Sequence, residues 1–117
     1  MSKKNIAKLK RKADKLWSIK VREVGKCELC SSVDHLNAHH IITRRFSLLR
    51  WDLKNSICLC CVCHKFGLSS VHNCPLTVMD WLKENPQIEA YLRMMSQQPI
   101  KKYTVEDMEN IIIGLTK

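Results

Sequence analysis

The sequence predicts an α+β fold: a small two-stranded core around four cysteines, with a basic helix before it and helices after it. Three observations predict this. Cysteines pair as Cys27-x-x-Cys30 and Cys60-x-x-Cys63. Short, partly apolar runs of strand length lie between those pairs, and apolar residues recur at helical spacing on either side. A length of 117 residues leaves room for one domain. Its parts are a basic helix over 1–25, a cysteine-bearing core over 26–68 and a helical part over 75–117.

Each element has its own signal. Ile6, Leu9, Ala13, Leu16/Trp17, Ile19 and Val24 follow helical spacing with lysines between them, which predicts an amphipathic helix over 3–22. Gly25 is its stop. Residues 26–35 form a turn-rich knuckle. LNAHHIIT, over 36–43, reads as one strand, and SICLC, over 56–60, as a second with Ile57 and Leu59 on one face. The segment 44–55 is too polar and too long for a tight hairpin, so it is expected to be a structured loop with a helical turn at 46–49. VCHKF opens a short helix that ends near Gly67. Further on, Pro75 suits the first turn of a helix through LTVMDWLKE, and Asn85-Pro86 gives the next helix a cap and an N1 proline. Thr104 with Asp107 resembles a capping box for the last helix. Trp51, Trp81, Leu82, Ile88, Tyr91, Leu92, Ile111 and Ile112 read as core.

The net charge is +9, and ten Lys/Arg against two acids in residues 1–26 account for nearly all of it. So concentrated a positive arm suits a polyanion, with nucleic acid the first candidate. The opening MSKKNIAKLKRK has no apolar stretch behind it and does not read as a secretory signal. No run reaches the roughly 18 apolar residues of a membrane span. A cytoplasmic protein is expected, and there paired cysteines bind metal more often than they form disulfides.

Two thiolate pairs on two knuckles can enclose a tetrahedral zinc, and a closed site of that kind adds directly to folding. Cys58 and Cys61 form an overlapping C-x-x-C. Cys60 and Cys63 are preferred because their register agrees with the neighbouring Asn55 and His64. Cys58, Cys61 and Cys74 are then free thiols that pack. The cysteines alone would equally suit a non-catalytic zinc ribbon.

What lies between the pairs changes the reading. His39-His40, Asn55 and His64 stand inside the cysteine frame, with 15 residues from His40 to Asn55 and nine from Asn55 to His64. The string C27-x2-C30 … A-H39-H40-I … N55-x4-C60-x2-C63-H64 resembles the zinc-bearing branch of the HNH endonucleases. That resemblance implies a ββα-metal core and a DNA endonuclease dependent on Mg²⁺ or Mn²⁺ that leaves 5′-phosphate ends. It also implies the roles: His40 as the base that activates water, Asn55 as its positioning residue, and His39 and His64 as ligands of the catalytic ion. Phosphodiester hydrolysis needs an activated water and relief of charge on the phosphorane, which a neutral imidazole and a divalent ion supply. Neighbouring strand residues point to opposite sides, which suits one ligand and one base. His35 and His72 fall outside the motif and read as surface histidines, His72 within reach of the metal or a phosphate.

A second, narrower resemblance covers nearly the whole chain. IKVRE before the first cysteines, AHH, LLRW, CCVC and the late Y103-T104-V105-E106 resemble the C-terminal part of the lambdoid phage NinG-type recombination nucleases. That family generally has Gly-His at the His39-His40 position and Asn at that of His64. The resemblance implies a recombination or junction-cleaving role in the host cytoplasm. One active site cuts one strand, so symmetric resolution implies a homodimer.

For DNA, Arg44, Arg45 and Arg50 are expected near the scissile phosphate, because guanidinium pairs bidentately with phosphate. Lys8, Lys12 and Lys15 are expected to add sequence-independent contacts further along. A non-catalytic zinc module that binds nucleic acid, and a zinc-stabilised adaptor for a protein partner, are the alternatives. Neither has need of His39, His40, Asn55 and His64 together.

Overall fold

A computed structural model of the chain describes residues 3–117, with side chains from Asn5 onward. Met1 and Ser2, which begin the segment read as no secretory signal, lie outside the described residues. Helix α1 (Lys3–Arg22) is followed by strand β1 (Leu36–His40), a 3₁₀ turn (Ser47–Leu49) and strand β2 (Ser56–Cys60). A one-turn π-helix (Val62–Phe66) and three helices, α2 (Pro75–Lys83), α3 (Pro86–Ser96) and α4 (Val105–Thr116), complete the order. No helix among the described residues is long and apolar enough to cross a membrane.

The strands pair antiparallel, from Leu36 opposite Cys60 to His40 opposite Ser56. Their two faces are covered differently. Cys58 joins Ala13, Trp17 and Val21 of α1, Met108 and Leu115 of α4, and Trp51 in one core. Ile57 and Leu59 face the other way, with Cys27, Cys60 and Val71. This alternation is the period of two that a sheet covered on both faces requires. A third cluster, Leu49 with Leu82 and Leu92, seats α2 and α3 against the loop between the strands.

Two local expectations change. The first strand ends at His40 rather than at residue 43, because Ile42 gives both its backbone groups to Asn55 and leaves the ladder. Asn85 does stand before α3, but its side chain makes no cap; its amide donates back to the carbonyl of Trp81 at 2.8 Å. At α4 the capping box is complete, with Thr104 and Asp107 each taking the other's backbone N–H. Gly25 has φ +82°, the left-handed conformation that lets the chain turn from α1 into the knuckle.

Candidate functional site

The four-cysteine site is built by two turns docked on β2. In the first knuckle the N–H of Cys27 donates to Ser32 O at 2.8 Å and that of Ser31 to Cys27 O at 2.9 Å. Glu28 then fastens the knuckle to the free edge of β2: its N–H donates to Cys58 O at 2.8 Å, and its carboxylate accepts the Cys58 N–H at 2.7 Å. The second turn follows directly from the end of β2, where the Cys63 N–H donates to the Cys60 sulfur at 3.5 Å. These turns bring Cys27, Cys30, Cys60 and Cys63 into one cluster with every Sγ within 4.8 Å of the others. That register, and not Cys58 with Cys61, is the one that gathers. Cys58 is fully buried in the core between α1 and α4.

The electrostatics match a thiolate site. Burial alone pushes the Cys27 thiol up, but the backbone N–H groups of Cys60, Cys30 and Leu29 outweigh it and bring it down to about 7. Cys63 is pushed up by burial and by its neighbouring sulfurs. Four sulfurs this close compete for one proton-free state unless a cation is shared among them, so the donor set fits a soft divalent ion such as zinc.

A second cluster lies one residue along the chain. His64 follows Cys63 on the π-helix, His39 comes from β1, and His72 comes from the loop after the π-helix. Their ligand nitrogens all fall within 4.8 Å of one another. His64 Nε2 and His72 Nε2 are 3.0 Å apart, and His39 packs edge-on against both rings at centroid distances of 5.1 and 5.2 Å. Buried His64 is brought down to about 4, first by desolvation and then by the charges of His72 and Lys65. His39 falls to about 4 by desolvation, with His64, His72 and His40 adding to the effect. Both imidazoles are therefore neutral at pH 7, the protonation state in which a ring nitrogen can bind a metal. His64 Nδ1 is buried with no hydrogen-bond partner.

Backbone contacts set His72 in place. Val71 N donates to Cys63 O at 2.9 Å and His72 N to His64 O at 3.3 Å, which lays 71–72 alongside 63–64. Asn73 donates to the carbonyls of Lys65 and Gly67, closing the end of the π-helix. Gly67 is needed there, because a Cβ would stand 2.9 Å from the carbonyl oxygen of Val62. His72 had signalled only possible reach to a metal; a single histidine in a loop carries no spacing that announces a third partner.

His40 faces away from that cluster. Its ring stacks on Trp17 of α1 at 3.8 Å between centroids and 4° between planes. Its Nε2 lies 2.8 Å from the carbonyl oxygen of Arg50. A carbonyl can only accept, so Nε2 carries the proton and Nδ1 keeps the lone pair. Burial holds the ring below its ordinary pKa, against the opposing pull of that carbonyl.

Asn55, fully buried, holds the loop that provides this carbonyl. Its Oδ1 accepts the Ile42 N–H at 2.7 Å, and its Nδ2 donates to Ile42 O at 2.8 Å and Leu49 O at 3.1 Å. The loop is thus clamped beside His40 at one end and beside Arg50 at the other. Asn55→Ala is expected to destabilise the fold by about 2–4 kcal/mol, since it strands the half-buried N–H and carbonyl of Ile42 and the buried carbonyl of Leu49 at once. Denaturant titration would measure it, and a loss below about 1 kcal/mol would count against the clamp.

The basic residues divide. The Arg50 guanidinium is engaged by Asp14 of α1, Nε at 3.0 Å and Nη2 at 2.7 Å, and lies over the Trp51 ring. It builds the wall of the site, and the expected phosphate clamp would have to compete with that pair. Trp51 is buried and donates to Asp14 at 2.9 Å, in keeping with core. Arg44 and Arg45 are exposed, as are Lys8, Lys12 and Lys15 along one outer side of α1. Trp17 was legible as the apolar face of the first helix, but its place beside His40, and those of Asp14 and Glu28, carried no signal in the sequence, because each acts on residues 23 or more positions away.

Comparison of the chain with known protein families, with curated proteins and with solved structures finds no match.

Proposed function

We propose that the chain is a metal-dependent DNA endonuclease of the HNH type. The observation that carries this reading is the divergence of two adjacent residues: His39 enters a three-imidazole cluster, while His40 is held singly, neutral and in one tautomer. A pure scaffold has no use for that arrangement. The nearby cysteine cluster would be the structural zinc site that fixes the π-helix, and hence His64.

The cluster fits a divalent ion. The 3.0 Å spacing between His64 Nε2 and His72 Nε2, with a ligand nitrogen of His39 within 4.8 Å of theirs, would let three imidazoles share one divalent ion. Three imidazoles suit Mn²⁺ or a later transition ion better than Mg²⁺, which prefers oxygen. His39, His64 and His72 would hold the ion, and it would supply Lewis-acid stabilisation of the phosphorane and the leaving 3′ oxygen.

The chain's own residues do the rest. His40 accepts the proton of the attacking water at Nδ1, with its Nε2–H anchored on Arg50 O. Trp17 fixes the ring plane, and Asn55 and the Asp14–Arg50 pair fix the loop bearing that carbonyl. Positioning of this kind lowers the barrier by preorganisation.

Nicking of supercoiled plasmid and cleavage of a labelled four-way junction test the reading. Zinc-loaded protein should cut with Mn²⁺, and less well with Mg²⁺. DNA binding without cleavage under any divalent ion would leave a non-catalytic zinc module in its place.

A further inference from the structure

A cleft of about 480 Å³ lies between α1, the loop between the strands and the segment joining α3 to α4. Six cationic side chains line it: Lys10 from α1, Arg44, Arg45 and Arg50 from the loop, and Lys101 and Lys102 from the joining segment. Acids also bear on it: Asp107 and Asp52 act on Tyr103 in its lining. Asp14 engages Arg50 at 2.7 Å and reaches Arg44 at 4.0 Å, and Asp107 is influenced by Lys101 while serving its own helix cap. Among the described residues, no ion pair involves Lys10, Arg45, Lys101 or Lys102. Cations gathered around one hollow repel each other unless an anion is shared among them.

The two walls are tied together. Lys101 N donates to Ser47 Oγ at 2.9 Å, and Tyr103 OH donates to Ser47 O at 3.0 Å. The lysines are therefore carried on a pinned backbone, opposite the arginines. The aromatic residues at the cleft are spoken for. Trp51 is buried and meets Tyr103 edge-on at 5.1 Å, and Lys101 covers the Tyr103 ring at 5.3 Å. Neither ring that lines the cleft is left free for a base to stack upon, so the cleft suits a sugar–phosphate backbone rather than bases. Arg50 joins the cleft to the histidine site, lining the first with its side chain and holding His40 with its carbonyl.

We propose that this cleft is the principal binding track for the backbone of duplex DNA, read without sequence preference, and that the outer lysines of α1 are secondary to it. The proposal rests on nucleic acid being the partner, as above, and not on cleavage. Lys101 and Lys102 had no place in the sequence-based set of contacts, because the cleft exists only once the 97–104 segment lies against the loop.

The test is binding of two unrelated labelled duplexes to zinc-loaded protein carrying His40→Ala, across a salt series. K101A/K102A leaves the backbone bonds of the segment intact. It should weaken both duplexes about tenfold near 0.1 M salt and lower the salt slope by about 1.8, at roughly 0.9 per lost phosphate contact. The triple variant K8A/K12A/K15A should cost less. Unchanged affinity and slope in K101A/K102A, a larger loss in the triple variant, or a preference for single strands would each overturn the proposal. Cleavage is read separately in protein with His40. Cutting by K101A/K102A at the unsubstituted protein's KM removes the cleft and leaves the nuclease; binding lost in K101A/K102A without cutting by any form removes the nuclease and leaves the cleft.

Discussion

Cys27→Ser is expected to abolish cooperative folding of the central part of the chain. Cys27 is both a member of the thiol cluster and a fully buried residue in the core with Ile57, Leu59 and Val71. Structural zinc contributes about 10–16 kcal/mol in small zinc-dependent folds. The whole stability of a domain is about 5–15 kcal/mol, so losing one ligand removes a share that the fold cannot spare. The thermal transition should broaden or vanish, and a strong chelator should do the same to the unsubstituted protein. Cobalt substitution gives the direct reading, since thiolate-to-cobalt absorption should be strong with all four cysteines and much reduced in Cys27→Ser. Cys61→Ser is the informative control. Cys61 is half-buried and outside the cluster, so it should keep metal and stability. Metal lost in Cys61→Ser but kept in Cys63→Ser would mean that the overlapping cysteine register is the one used.

His40→Ala is expected to lower the rate of DNA cleavage by about 10²–10⁴-fold, the usual contribution of a positioned general base. The substitution also uncovers one face of Trp17 and leaves the Arg50 carbonyl without its donor, a loss of about 1–3 kcal/mol in stability. His40→Gln separates the two effects, because an amide can still donate to that carbonyl but is no base. Both variants should keep the cobalt–thiolate spectrum, and both should bind DNA with nearly unaltered affinity. A Gln variant that cuts as fast as the unsubstituted protein would remove His40 from the chemistry. Substitution of His72 is a sharper probe of the three-imidazole site than of His40: it should raise the Mn²⁺ concentration needed for activity, with little change in rate at saturating ion.

Much of the local structure was legible because it depends on local pattern. The first helix follows from apolar residues at helical spacing between lysines, and β2 occupies the same five residues as the run SICLC. The capping box at Thr104 and Asp107 is a matter of three residues' spacing and is present as read. Where the reading fell short, a distant partner had intervened. Asn55 takes the backbone of Ile42 out of the ladder from 13 residues away. Asn85 has the type of a cap but finds the carbonyl of Trp81 within better reach. Arg50, in a loop rich in cations, carried no mark of the carboxylate 36 residues earlier that holds it.

By itself the sequence determined the two thiol pairs, the histidines and asparagine set between them, the basic arm and most helix bounds, since each is a pattern of neighbours along the chain. Only the tertiary structure gathered the preferred Cys60–Cys63 pair with Cys27 and Cys30 and left Cys58 in the core, added His72 to His39 and His64, turned His40 toward Trp17 and the Arg50 carbonyl, and drew Lys101 and Lys102 across from Arg44 and Arg45. The reason is physical. A local pattern limits backbone conformation through propensity and burial of one face, whereas a site is a meeting of side chains whose separation in sequence carries no information about their separation in space.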